Sequence, residues 1–418
     1  MRIKISRNEL IVCMILTALL GEFHFLGLWQ ADAVYRKAIM LAAVLAAAGL
    51  CIGNRQACSV IFRKHMHAVT YTCAVLVFVF VIQFLRFVFY STDVSFYEYI
   101  ADAGRFAYVA ALIPLVYVFE SKRLSRMFWK GFKAIAFAQI LIGEIQDMVL
   151  RFTGINFLNG KTSWRGGRLG IMIIVPIIYI PMIAALGSLI NKKSKNKLAD
   201  ILFLTAGVHF GIFISKNRAG FLAFFAAAAV MIFTAAGSRN RILWNTLIAV
   251  SGMAAAGYLL LGGYLHTLFS FSGGEFAASN HGHLDAIREC WAYFKQHPLL
   301  GAGFRLRWPV SYCDAGFTGL LANTGMAAVF IFLIPELTAV CRVIKITLQK
   351  KKSKEMELFK GFTVFAFFTA VTLILTDESR MMGWVVIYAY MSYILANQPR
   401  IFRRRTVKIR IGTMETEG

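Results

Sequence analysis

The sequence predicts an all-α polytopic membrane protein with about twelve transmembrane helices, and three observations carry that reading. Its 418 residues are 58% hydrophobic and 16% charged, with a mean hydropathy of +0.64. Soluble domains carry roughly 25% charged and about 45–50% apolar residues. The apolar residues fall in blocks near the ~20 residues that cross a bilayer as a helix. Alternating segments of about 10 residues, the pattern of a membrane barrel, are not seen. Finally, basic residues gather in the short polar connectors between blocks.

Taken in order, the apolar runs predict spans near 9–30, 38–53, 68–90, 104–120, 134–152, 169–190, 198–214, 219–237, 242–263, 313–340, 361–376 and 381–397. The first follows a basic start, as a signal peptide does. Its apolar run is longer than the about 7–15 residues of a signal and lacks an A-x-A site, so it reads as an uncleaved span. The second and eleventh are short, which tilt accommodates. With no internal repeat and no soluble segment, residues 1–418 read as a single integral membrane domain.

In a soluble protein a net charge of +24 would suggest nucleic acid. Here the basic residues have a better use as topology signals. With a cytoplasmic N-terminus, the inner segments are 1–8, 54–67, 121–133, 191–197, 238–241, 341–360 and 398–418. They hold 30 of the 45 Lys and Arg residues, which predicts both termini cytoplasmic. Lys192-Lys193, Lys350-Lys351-Lys352 and Arg403-Arg404-Arg405 are anchors that also attract anionic lipid headgroups. No nucleic-acid partner is expected. One large extracytoplasmic loop, 264–312, then falls between spans nine and ten, and 153–168 and 215–218 lie on the same side.

Chemistry is sought on that side. Arg218, in Ser215-Lys216-Asn217-Arg218-Ala219-Gly220, lies between strongly apolar runs in a turn too short to lift it far from the bilayer. It is either a snorkelling rim arginine or an anion-binding group whose planar fork suits phosphate. Arg165 and Arg168, in Trp164-Arg165-Gly166-Gly167-Arg168, belong to a flexible loop or to a glycine-lined approach to a ligand. Arg288 falls in a short amphipathic helix, with Leu284, Ile287, Trp291 and Phe294 at helical spacing. Its bland alternative is an ion pair with Asp285 or Glu289.

Pro298 with Gly301 and Gly303 predicts a tight turn that ends this helix. No strand precedes it, so a dinucleotide fingerprint is rejected. Asp314 opens the next span as a helix N-cap or as a general base. His281, His283 and His297 lack a third ligand at suitable spacing, so neither metal nor cofactor is expected. The seven cysteines show no C-x-x-C spacing. Cys290 and Cys313 could pair in an oxidising compartment, a question that sequence separation leaves open.

From Arg165 to Gly325 the chain resembles the O-antigen ligase and O-antigen polymerase family of bacterial envelope glycan assembly. The resemblance rests on Ser215–Gly220, similar to the family's Ser-Arg-Gly turn. It rests also on Arg288-Glu289-Cys290-Trp291 followed by His297-Pro298-Leu299-Leu300-Gly301-Ala302-Gly303, and on Asp314 through Asn323-Thr324-Gly325. It implies a fold of the lipid-linked-sugar glycosyltransferase kind, working at the outer, periplasmic face of the cytoplasmic (inner) membrane. The implied substrate is a polyprenyl-diphosphate-linked glycan, used without a metal, with other polysaccharide-assembly membrane proteins as possible partners.

On that resemblance Arg165, Arg168, Arg218 and Arg288 would hold the diphosphate. Arg218 and Arg288 would stabilise the leaving charge, and Asp314 would take the acceptor's proton while the anomeric centre inverts. Should Asp314 be only a cap, His281, His283, Glu289 and His297 are next in line as base. Ligases of the family usually place His-Asn where this chain has Asp314-Ala315, which favours polymerisation of lipid-linked repeat units over ligation. The rival class is a secondary transporter or lipid-linked-glycan flippase, since twelve spans suit a carrier. Carriers often show similar halves. These halves are unlike, the large loop is off centre, and span charges are few: Glu22, Arg86, Glu144, Asp147 and Glu336.

Overall fold

A computed structural model describes residues 7–20, 33–90, 95–155, 162–165, 168–171, 175–191, 196–214, 218–234, 277–304, 317–327, 329–348, 354–372 and 378–403. These residues are helical apart from short connectors and one small hairpin, as the composition predicts. The ninth expected span, 242–263, lies outside the described residues.

Helix α1 (Arg7–Leu20) packs on α2 (Ala33–Gly53). Asn54 then ends α2 and restarts the chain as α3 (Arg55–Lys64): its side-chain oxygen accepts from the N–H groups of Gln56 and Ala57 at 3.0 and 3.3 Å. That cap supplies partners for two of the N–H groups a new helix leaves open. The two helices meet at 96°. The third expected span is a continuous run, Met66–Phe89, long and apolar enough to cross a bilayer. It comprises α4 (Met66–Val77), a π turn at Phe78–Ile82 and α5 (Gln83–Tyr90). Among the described residues, only the bent pair α2–α3 also passes that test; Phe106–Glu120, Ile178–Ile190 and Gly220–Thr234 are apolar but shorter.

Next come α6 (Phe96–Ala103), a 3-10 stretch (Gly104–Ala111), α7 (Leu112–Glu120) and α8 (Lys122–Thr153). Ser121 caps α8 through Leu124 N–H, and Gly154 ends it with φ of 72°. The strands β1 (Thr162–Arg165) and β2 (Arg168–Ile171) pair antiparallel, with Arg165 opposite Arg168. The sequence between those two arginines is Gly-Gly, which two-residue hairpins favour. The predicted span from 169 therefore starts later, as α9 (Val175–Ile190). α10 (Lys197–His209) and α11 (Arg218–Thr234) follow, then α12 (Ala277–Gln296) within the large loop.

The expected single span at 313–340 is two helices. α13 (Phe317–Thr324) stops at Gly325, whose φ of 61° leaves the right-handed region, and α14 (Ile334–Leu348) continues after a π turn. α15 (Lys354–Thr372) and α16 (Glu378–Arg403) close the chain. The core is aromatic where α7, α8, α15 and α16 meet. Trp129 stacks on Phe119 and Phe362, each with ring centroids 5.7 Å apart, and Tyr390 stands edge-on to Phe362. Elsewhere glycine permits close approach: a Cβ on Gly361 would meet Met231 and Ile183.

Candidate functional site

Of the large loop, the structure describes residues 277–304. α12 packs on α13 through small residues, with Ala286, Cys290 and Ala322 all buried and Tyr293 against them. The apolar residues that mark the helix as amphipathic in the sequence are not the ones that pack on α13. Leu284, Ile287 and Trp291 are exposed, whereas Phe294 packs on the main core. The physical reason is proximity, because Ala286 and Cys290 let the helices approach where larger side chains would hold them apart. Burial, with a smaller effect from the Glu289 charge, pushes the Cys290 thiol up to about 11. Cys290 is a free cysteine, and Cys313 lies outside the described residues.

After Gln296 the chain folds back on α13. Gly301 and Gly303 have φ of 71° and 89°, which left-handed backbone makes accessible to glycine. Ala302 N–H donates to Ala322 O at 2.6 Å and Gly303 N–H to Asn323 O at 3.0 Å. These are carbonyls that a helix end leaves without partners. Met326 N–H returns a bond to Pro298 O at 2.8 Å, and Gly301 N–H closes the turn on His297 O at 2.9 Å. The tight turn expected from Pro298, Gly301 and Gly303 is thus present. Its three N–H groups at 301–303 are spent inside the protein, so they do not form a phosphate cradle.

Two residues from the N-terminal half complete this arrangement. Gln83 Nε2 donates to Leu300 O at 2.9 Å, and Arg86 Nη1 to the same oxygen at 3.4 Å. Arg86 lies over Gly303, where an added Cβ would come within 3.2 Å of Nη1. Phe304 packs on Tyr99 and Phe106 beside them. Sequence reading marked Arg86 only as a charge in an apolar span; that rarity was the available signal.

The predicted site residues are placed as follows. Arg288 is 78% exposed on α12, with its guanidinium 3.4 Å from Asp285, an exposed pair that adds little to stability. Arg218 is the first residue of α11, and Arg165 and Arg168 face each other in the register of the hairpin. Asp314 lies outside the described residues. His281 and His297 are exposed and Glu289 is partly so. Among the described residues no three His, Cys, Asp or Glu side chains come together as a metal site would require.

Residues 201–333 match the family model described as O-antigen ligase. The match agrees with the resemblance to O-antigen ligases and polymerases drawn from the motifs. That family is membrane-associated and acts in polysaccharide assembly in the bacterial envelope. A search of curated proteins found no match. The matched region holds Arg218, Arg288, Asp314 and the 297–304 turn; Arg165, Arg168, Gln83 and Arg86 precede it.

Proposed function

We propose that the protein polymerises oligosaccharide repeat units carried on a polyprenyl diphosphate into a cell-surface polysaccharide. The observation that carries this reading is the O-antigen ligase domain at 201–333, which contains the three proposed catalytic residues. The acceptor hydroxyl oxygen attacks the anomeric carbon of the donor as the bond to the diphosphate oxygen breaks. The hydroxyl proton passes to Asp314, and inversion follows from attack on the face opposite the leaving group. Arg218 and Arg288, with Arg165 and Arg168, offset the charge on the departing lipid diphosphate, which removes the need for a metal.

The twelve-span arrangement, with cytoplasmic termini and an outward 264–312 loop in the inner membrane, belongs to the same proposal. Its support is the pairing of segments. Lys64, Glu120 and Asn397, all at expected inner ends, hydrogen-bond to one another through Glu120. Gln83 and Arg86, at an expected outer end, bond to Leu300 of the outward loop. Ligation is the second reading, favoured by the description of the matched family; Asp314-Ala315, where ligases place His-Asn, argues for the polymerase.

The test is turnover of a lipid-diphosphate glycan by the reconstituted protein in excess chelator. Arg218→Lys and Arg288→Lys keep charge but lose the planar fork, and each should slow turnover about 10²–10³-fold. Asp314→Asn should cost about 10²–10⁴-fold as loss of a base, yet be nearly silent as a cap change, because Asn caps as well as Asp. Normal turnover by Asp314→Asn would make Asp314 structural and move the search to His281, His283, Glu289 and His297.

A further inference from the structure

We infer that Arg86 is a further residue of the diphosphate site, contributed by the N-terminal half and outside the O-antigen ligase domain. The inference rests on the glycan-transfer reading. It starts from the backbone of the 297–304 turn, whose N–H groups at 301, 302 and 303 bond to His297, Ala322 and Asn323. An anion that approaches this turn must therefore be met by side chains. Among the described residues, Arg86 places a cationic side chain on the turn, over Gly303, where a side chain at position 303 would meet it.

The mechanical role at this junction already has better agents. Gln83, fully buried, holds Leu300 O at 2.9 Å, and the two backbone bonds to α13 fix the turn itself. The 3.4 Å contact of Arg86 to the same oxygen adds least to that hold. What Arg86 brings is a guanidinium carried on an apolar, membrane-spanning helix, half-buried where the helix meets the outward loop. Arginines in such positions face protein interiors or watery cavities and mark substrate paths. A planar guanidinium suits the oxygens of a diphosphate.

Arg86→Gln separates the two roles, since glutamine retains an N–H donor for Leu300 but carries no charge. With the full-length protein in liposomes, Arg86→Gln should raise KM for the lipid-diphosphate donor about 10–100-fold, with kcat nearly unchanged. Inorganic pyrophosphate, as a competitor for the same site, should inhibit this variant more weakly by a similar factor. Arg86→Lys, which keeps the charge, should recover part of both. A native KM and native pyrophosphate inhibition in Arg86→Gln would overturn the inference, as would a fall in kcat alone. If the native protein itself turns over no lipid-diphosphate glycan, the glycan-transfer reading fails and takes this inference with it.

Discussion

Gly301 is the residue on which the docked turn depends most. Its φ is 71°, and an added Cβ would run into the backbone of Asn323 and Thr324, which has nowhere to move. Gly301→Ala therefore combines left-handed strain of about 1–3 kcal/mol with a backbone collision, and should lower the melting temperature in detergent by several degrees. Gly282, on the open side of α12 with nothing within 4 Å, is the control: Gly282→Ala should hold or raise it, because alanine is the better helix former. Equal melting of the two variants would contradict the docking described. Pro298, Gly301 and Gly303 were legible as a turn from composition alone. Arg288 beside Asp285 was legible too, since a pair three residues apart shares a helix face. Arg86 against Leu300 was not, because the two are separated by 214 residues and no local pattern links them.

At the scale of elements, α3, α7 and α16 are tied by one carboxylate. Glu120 accepts from Lys64 Nζ at 2.8 Å, from His65 Nε2 at 3.1 Å and from Asn397 Nδ2. Ser392 Oγ continues the chain between His65 Nδ1 at 3.1 Å and His67 Nε2 at 2.8 Å. Glu120→Gln should destabilise the bundle by about 2 kcal/mol, the range for hydrogen bonds to charged groups, whereas Asp285→Asn, in an exposed pair, should change little. Thermal melts of the two variants check this, and equal losses would refute it. Sequence periodicity found most helices but smoothed over their interruptions. Gly325 splits the run at 313–340 because α13 must end where the turn caps it, and the partners of that cap lie some twenty residues earlier. The hairpin at 162–171 was hidden for a related reason: four-residue strands are too short to show a period. The apolar spacing that showed α12 as a helix did not show its packed face, because large apolar residues are buried only where the partner leaves room for them.

For the whole molecule, orientation comes first. Cysteine introduced by Ser272→Cys or Ala278→Cys, in a chain otherwise free of reactive cysteine, should label with an impermeant thiol reagent from outside the cell membrane. Labelling only from the cytoplasmic side would reverse the proposed site. Helix content and membrane character were legible in composition, because apolar blocks and basic connectors are properties of the whole chain. The joining of the N-terminal helices to the region that matches the O-antigen ligase model, through Gln83 and Arg86, was not. The central claim is that this assembly lengthens a glycan on its lipid carrier. It is tested most directly by identifying which lipid-linked oligosaccharide accumulates in cells that lack the gene. Single repeat units on polyprenyl diphosphate are the predicted result. Full-length glycan on the lipid would contradict polymerisation and identify a ligase, and no accumulated lipid-linked glycan would contradict both.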